Sequence, residues 1–424
     1  MGELNMKLEK LNLAILLAAG LLVPVGAQAV SFGTYDPRSL GLGGVGVTMA
    51  TARNANFFNP AMLAATRSDD DFAIGLPIVS ARISDADKAI DDIDALETSG
   101  NNLSNALTAF DATPSFANAG TAGVALAAFN NDLGKINNKV LDADLFAGGI
   151  MTIPSKKFGV GLHVSGRANF GAKFLYAAAD QGTITSLAAN LNSCAGGNLL
   201  ACSAAQGAVT NGNIDNLQST LQVRGIAVSE VGLAFARRFE SVGDADIGIT
   251  LKAQRIRTYD YSISAQDTKI DLKLGEKQES AANIDIGFAR SYGENFKSGV
   301  VIKNLVKKEF TTMLGNKIEL KPQARLGMSY HRSWVNLGVD VDLTKNKPVA
   351  EGFDKETRFA AIGAELDLIG TLQLRIGYRH DLTGNYEGMP SVGLGFSPFG
   401  LHINVAVAGN SKEAAAGAQL GFNF

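Results

Sequence analysis

The sequence predicts an all-β fold: a transmembrane antiparallel β-barrel of about 14 strands, with an N-terminal hatch and a helical insertion in a long loop. Three observations lead there. Segments of about ten residues alternate apolar with small, polar or charged side chains, and turn residues divide them. The connections between these segments are alternately short and long. The last residues, Ala416 to Phe424, alternate strictly, with Ala416, Ala418, Leu420, Phe422 and Phe424 on one face.

At the N-terminus, Lys7 and Lys10 precede an apolar run from Leu11 to Gly26 that ends in Ala27-Gln28-Ala29. A membrane span needs about twenty apolar residues, and the small-x-small ending is that of a signal-peptidase site. Residues 1–29 therefore read as a signal peptide, which implies export. Past Ala29 no apolar stretch reaches the length of a membrane helix, although 46% of the chain is hydrophobic. The formal net charge of -3 gives no reason to expect nucleic-acid binding.

Read back from the final strand, the candidates are Leu401 to Ala408, Ser391 to Ser397, Thr371 to Asp381, Arg358 to Leu368 and Trp334 to Thr344. Before these come Gln323 to Arg332, Phe296 to Leu305, Ala281 to Tyr292, Asp246 to Ser262 and Arg224 to Phe239. Lys157 to Phe170, Asp142 to Ile153 and Phe72 to Ser84 complete an even set, as single-chain bacterial barrels require. Such barrels have short periplasmic turns and longer outer loops. The connections ending at Lys156, Ala245, Asn295, Ser333, Gly370 and Gly400 are short, whereas all but one of those between them are longer. A soluble sandwich has no reason to sort its loops by parity. The expected domains are thus a hatch over 30–71 and a barrel over 72–424, with large outer loops at 85–141 and 171–223.

In the first of these loops Ile90, Ile93, Leu96, Leu103 and Leu107 recur at near-helical spacing, which predicts one or two short amphipathic helices between Asp85 and Phe110. The second, from Gly171 to Val223, is rich in Ala, Asn, Gly and Ser, the composition of a partly mobile loop. It holds the chain's two cysteines, Cys194 and Cys202, which in an exported protein are expected to form a disulfide. Closing so short a loop stabilises by about 2.5 kcal/mol on the chain-entropy account.

Charges lie on the face opposite the apolar one: Asp340 and Asp342, Glu365 and Asp367, Arg375 and Arg379 on three successive strands, with Lys303 and Arg325 before them. Facing lipid, each would cost a few kcal/mol near the midplane, so they are expected to line the lumen. Acids opposite bases on neighbouring strands make an ion-pair ladder; the alternative is a polar permeation path. His163, His331, His380 and His402 are scattered over different strands and suggest no metal site. Gly41-Leu42-Gly43-Gly44-Val45-Gly46 fits the dinucleotide pattern G-x-G-x-x-G, but no buried strand precedes it and no acid follows at the ribose-binding distance. These glycines read as a closely packed turn, no cofactor is expected, and no nucleophile elbow or phosphate loop points to an enzyme.

The stretch from Ser39 to Val47, followed by Ala52-Arg53-Asn54-Ala55-Asn56-Phe57-Phe58-Asn59-Pro60-Ala61-Met62-Leu63, resembles the opening of the FadL superfamily of fatty-acid and hydrocarbon channels. There a glycine-rich stretch and an Asn-Pro-Ala motif belong to a hatch that plugs a fourteen-stranded barrel. The resemblance makes Gly41, Gly43, Gly44 and Gly46 the packed turn, and Asn59, Pro60 and Ala61 hatch positions. Pro60 cannot donate to a ladder, which also argues against a wall strand here. Overall the chain is most similar to the TraF-like branch, the conjugal transfer proteins; it lacks the Cys-x-x-Cys of the thioredoxin-like protein of that name. The resemblance implies an outer-membrane channel for passive uptake of a small hydrophobic or amphipathic compound. The alternative is a plugged anchor with partner-binding outer loops in conjugation or secretion. The expected partners are outer-membrane lipid, the barrel-assembly machinery that reads a C-terminal strand such as the one ending at Phe424, and the transported small molecule.

Overall fold

Fourteen antiparallel strands close on themselves in a computed structural model that describes residues 36–65, 72–212, 217–242, 244–264, 275–346, 352–353 and 355–423. The expected signal peptide and Phe424 lie outside the described residues. In chain order the strands are β1 (Ala73–Ser84), β2 (Val140–Ile153), β3 (Gly159–Leu175), β4 (Thr220–Phe239), β5 (Ala245–Ser264), β6 (Glu276–Tyr292) and β7 (Phe296–Lys303). After a separate hairpin of β8 (Lys308–Thr311) and β9 (Lys317–Leu320) come β10 (Gln323–Arg332), β11 (Val335–Asp342), β12 (Phe359–Asp367) and β13 (Leu372–Asp381). β14 (Met389–Phe396), β15 (Leu401–Gly409) and β16 (Glu413–Asn423) complete the ring, in which each strand pairs with the next, β7 pairs with β10, and β16 pairs with β1.

Period-two alternation makes this wall two-faced. Val231, Leu233, Ile249, Leu251, Val339, Ile362, Ile376, Val392, Leu394, Val405 and Val407 stand exposed on the outside. At the end with short turns, Phe158, Tyr292, Phe296, Trp334 and Phe399 form an exposed aromatic rim. Aromatic girdles of this kind mark a membrane interface. β3 to β6 are 17 to 20 residues long. That is well beyond the nine to eleven or so that a tilted strand needs to cross a bilayer. The excess forms a raised wall at the end with long loops.

One strand breaks the alternation. In β1, Leu76 and Pro77 together oppose Leu420 of β16 on one side and Gly149 of β2 on the other, a bulge that shifts the register against both neighbours. Pro77 has no N–H to lose, so the interruption falls where a ladder bond could not form. Past the bulge the inside and outside parity is reversed, and Arg82 turns inward to Asp142 and Asp144, both at 2.7 Å, and to Glu413 at 2.8 Å.

The long loops are more structured than their composition suggests. Helices Ala89–Ala112 and Phe116–Ile136 fill the first, well beyond the short helices expected before Phe110. The second carries helices Ala178–Ala195 and Leu199–Thr210. Leu96, Leu103, Leu107, Phe110, Leu126, Phe129, Ile184, Leu187 and Leu191 pack into one buried cluster, so the two loops form a single helical cap. Ile184, Leu187, Leu191 and Cys194 recur at three- and four-residue spacing, and this stripe outweighs the small-residue composition. Cys194 and Cys202 are disulfide-bonded across the turn between the last two helices.

Candidate functional site

Asp36 to Ala65 runs along the inside of the barrel and is buried almost throughout. Its helices Pro37–Gly41, Ala55–Phe58 and Met62–Ala65 have only five, four and four residues. Helices so short do not hold in water alone, so their support comes from elsewhere. Asp36 caps the first, accepting from the N–H groups of Arg38 (2.9 Å) and Ser39 (3.1 Å), and is itself held by Asn54 Nδ2 at 3.1 Å. Lys303 donates to the Phe57 carbonyl and Lys297 to the Ala65 carbonyl, placing a wall cation at the C-terminal end of each of the other two. Gly43 and Gly44 turn the chain after the first helix at φ of 71° and 98°, conformations that favour glycine. A Cβ on Gly41 would stand 3.0 Å from Gly393 Cα, and one on Gly46 would be 2.2 Å from the Phe58 ring.

The wall meets this segment with a row of bare backbone. Gly338, Gly363 and Gly377 are in direct register on β11, β12 and β13, as are Gly248 and Gly287 on β5 and β6, and Gly299 and Gly327 on β7 and β10. A Cβ at Gly377 would lie 2.1 Å from Gly43 N, one at Gly363 2.5 Å from the Leu42 carbonyl oxygen, and one at Gly248 2.4 Å from Ala61 N. Such spacings leave no room for a side chain, so these residues form a glycine belt that lets backbone approach backbone. Sequence reasoning missed it; the signal was a glycine near the middle of one strand after another.

Asn59-Pro60-Ala61 lies across this belt. Asn59 Nδ2 donates to the carbonyls of Val47 (3.0 Å) and Phe288 (3.1 Å), while its Oδ1 accepts from Ala61 N–H at 3.1 Å. One amide side chain thus joins two turns of the inner segment to β6. A Cβ on Gly287 would be 1.9 Å from Asn59 Oδ1.

The charged residues expected to form a ladder do so only in part. Arg325 pairs with Asp342 and Arg375 with Glu365, each at 2.6 Å across neighbouring strands. Glu365 also receives Arg38 of the inner segment, through Nε at 2.8 Å and Nη2 at 2.7 Å. Asp340 accepts from the N–H groups of Gly46 (2.8 Å) and Val47 (3.0 Å), and Arg325 Nη1 donates to the Gly44 carbonyl at 3.3 Å. Lys303 caps a helix as described. Arg379 lies 4.4 Å from the centre of the Phe359 ring, with Glu413 at 3.8 Å. Asp367 keeps the parity of Glu365 but ends β12, where it accepts the Gly370 N–H at 2.7 Å and caps a short turn rather than joining a ladder. The ladder is therefore corrected to a set of sockets, most of which grip the inner segment. Arg38, Lys297 and the Arg82 cluster were not foreseen, the last because the bulge hides which way Arg82 points.

Above the segment lies a second layer. A polar cavity of about 30 Å³, room for water rather than solute, is lined by Asn56, Glu230, Lys252, Gln254, Asp285 and Lys303. Lys252 pairs with Asp285 at 2.8 Å and Glu230 at 3.4 Å, and His163 Nε2 meets Glu230 at 2.9 Å. The β8–β9 hairpin roofs this layer by folding inward, with Phe310, Ile318 and Leu320 packed on Ile226, Val228 and Ile256 of the β4 and β5 inner face. Outside the barrel strands, Glu319 on this hairpin is held well below the usual carboxylate range, at about 2, by hydrogen bonds from Lys307 and Lys321. Among the described residues no group of three or more His, Cys, Asp or Glu is arranged to hold a metal ion.

A closed fourteen-stranded barrel whose N-terminal segment lies across its lumen is the architecture of the FadL-type barrels. Residues 56–342 match the family described as F plasmid transfer operon, TraF, protein, and the chain belongs to that family. Comparison with curated proteins gave no match. Among solved structures it is similar to the Ralstonia pickettii toluene transporter TbuX, with 10% identity, 93% of this chain and 100% of that one covered, and a TM-score of 0.52. The P. putida toluene transporter TodX (10% identity, 93% and 99% covered, TM-score 0.51) and a Pseudomonas aeruginosa FadL homologue (10%, 95% and 99%, 0.51) are similar to the same degree. At such identity the likeness establishes the shared fold.

Proposed function

We propose that this protein is an outer-membrane channel of FadL type, held closed by its inner segment, that admits a small hydrophobic or amphipathic compound without an energy source. In this reading the short turns face the periplasm and the helical cap faces outward. The barrel-assembly machinery would recognise β16, and lipid would cover the apolar outer face. One observation carries the reading: Ile226, Val228 and Ile256 make an apolar shelf on the inner wall, away from the apolar contacts that seat the inner segment and beneath a hairpin that covers it. A barrel used only as an anchor has no need of apolar surface on its inner wall beyond what packs the inner segment, whereas a solute leaving water for a greasy pocket does. The names of the toluene transporters with this fold support the same class of solute.

The test is reconstitution into liposomes with uptake of a small labelled arene. Ile226→Asp with Ile256→Asp should reduce uptake at least tenfold while the barrel still migrates as a heat-modifiable species. Absence of uptake in the unaltered protein, and in a variant whose inner segment is released, would remove the channel reading. The anchor in conjugation or secretion would then stand, supported by the sockets that fix the segment and by the disulfide-braced cap as a partner surface.

A further inference from the structure

A second recess lies at the long-loop mouth, on the wall opposite the strand pair that fills it. Phe353 belongs to the connection between β11 and β12, yet its side chain is buried against Gly171 of β3, seven places around the fourteen-stranded ring from β12. A Cβ on Gly171 would stand 2.7 Å from Phe353 Cβ, so the ring rests on bare backbone. Arg224 is Gly171's register partner on β4, and Lys173 lies two residues on, on the same face. The Lys173 ammonium is 4.8 Å from the ring centre and the Arg224 guanidinium 4.9 Å. Asp260 holds Arg224 Nε at 3.1 Å and is itself fixed by Thr312 Oγ1 at 2.6 Å and Asn316 Nδ2 at 2.7 Å of the hairpin region.

We infer that this recess is a binding site for an aromatic ring carrying an anionic group, an aryl carboxylate, and that Phe353 occupies the ring position in the structure described. A glycine floor flanked by two cations matches a flat ring, whose π face attracts both charges. The charges then choose the substituent. Arg224 is balanced by Asp260, whereas Lys173 meets no carboxylate among the described residues, which leaves one cation beside the ring for a ligand's own carboxylate. A neutral arene would use the floor and leave that cation unanswered. The inference deepens the proposed uptake function by naming a solute class at the entry side, and it rests on that reading for its purpose but not for its test.

The test titrates benzoate into the detergent-solubilised full chain, followed by calorimetry or saturation-transfer NMR. Phe353→Ala should bind benzoate at least tenfold more tightly than the unaltered protein, because the internal ring no longer competes. Phe353→Leu serves as the second variant should the first fail to fold. In either background Lys173→Met should cost about tenfold for benzoate and clearly less for toluene, which loses only the cation–π attraction. Cyclohexanecarboxylate, with the acid but no π face, should bind more weakly than benzoate. Filling the recess with Gly171→Val should abolish binding. Benzoate affinity unchanged by Phe353→Ala and Phe353→Leu, or insensitive to Lys173→Met and Gly171→Val, overturns the site. Binding that follows the expected pattern without benzoate crossing a proteoliposome leaves the site standing and counts against the channel. Conductance without binding does the reverse.

Discussion

Replacing Glu365 by Gln tests whether the inner segment is held by charge. The carboxylate accepts four hydrogen bonds: two from Arg38 at 2.8 and 2.7 Å, one from Arg375 at 2.6 Å and one from Asn336 at 3.1 Å. Gln keeps the shape and removes the charge, so two buried guanidinium groups are left facing one another. Breaking a buried pair in this way costs roughly 3–5 kcal/mol. The lower figure applies here, because Asp36 remains beside Arg38 and Asn404 beside Arg375, the latter at 2.8 Å. Undocking the segment separates the two cations and recovers most of that cost. About 3 kcal/mol at 1.4 kcal/mol per tenfold raises the undocked population about a hundredfold. In planar bilayers the fraction of time spent open should rise by that factor, and amide exchange over Asp36 to Ala65 should speed up in parallel. Arg38→Met combined with Glu365→Gln should restore part of the closure, since the stranded charge on the segment is gone. Unchanged open time with unchanged exchange in a correctly folded Glu365→Gln barrel would falsify the charge latch.

The remaining predictions concern the belt, the cap and the orientation. Gly377→Val places side-chain atoms where Gly43 N approaches to 2.1 Å of the Cβ position, and the overpacking should undock the segment by about 1–3 kcal/mol; unaltered conductance and exchange would refute this. Removing the disulfide with Cys194→Ser and Cys202→Ser should lower the stability of the helical cap by about 2.5 kcal/mol while barrel migration on gels stays heat-modifiable; a cap with unchanged exchange rates would contradict it. Epitope tags within Gly171 to Val223 should be reached on intact cells and tags within Glu240 to Ala245 should not, and equal labelling of both would reverse or remove the proposed orientation.

The wall was legible because one face must be apolar and the other must not, a constraint written into each strand at period two. Loop parity added an expected direction, which the epitope tags test. What the sequence hid is what depends on contact between distant residues. Asp340 reads as a lumen acid from its strand, but its partners Gly46 and Val47 lie 294 and 293 residues away, and nothing local distinguishes a wall base from a hatch amide as the partner. The Leu76-Pro77 bulge reverses parity by a single residue, which a simple alternating count cannot register. The hairpin of β8 and β9 was read as loop, since Phe310, Ile318 and Leu320 are too few to show a period.

The same distribution explains why the lumen adds glycine and charge to its apolar packing, in which Phe57, Phe58 and Met62 meet Ile78, Phe146 and Ile150 of the wall. Apolar packing tolerates many registers, whereas a belt without side chains and sockets such as Asp340 and Glu365 accept the inner segment in one position only. Because the segment's helices are too short to persist alone, its docked state is supplied by the wall and can be lost as a unit. Lys303 connects that unit to the layer above: it caps the Phe57 carbonyl while lining the polar cavity with Lys252 and Asp285. Leu320 of the inward hairpin lines the same cavity. A solute that displaced the hairpin from Ile226, Val228 and Ile256 would therefore expose this cavity to water and weaken a cap on the inner segment, which gives the two ends of the lumen a physical route for opening together.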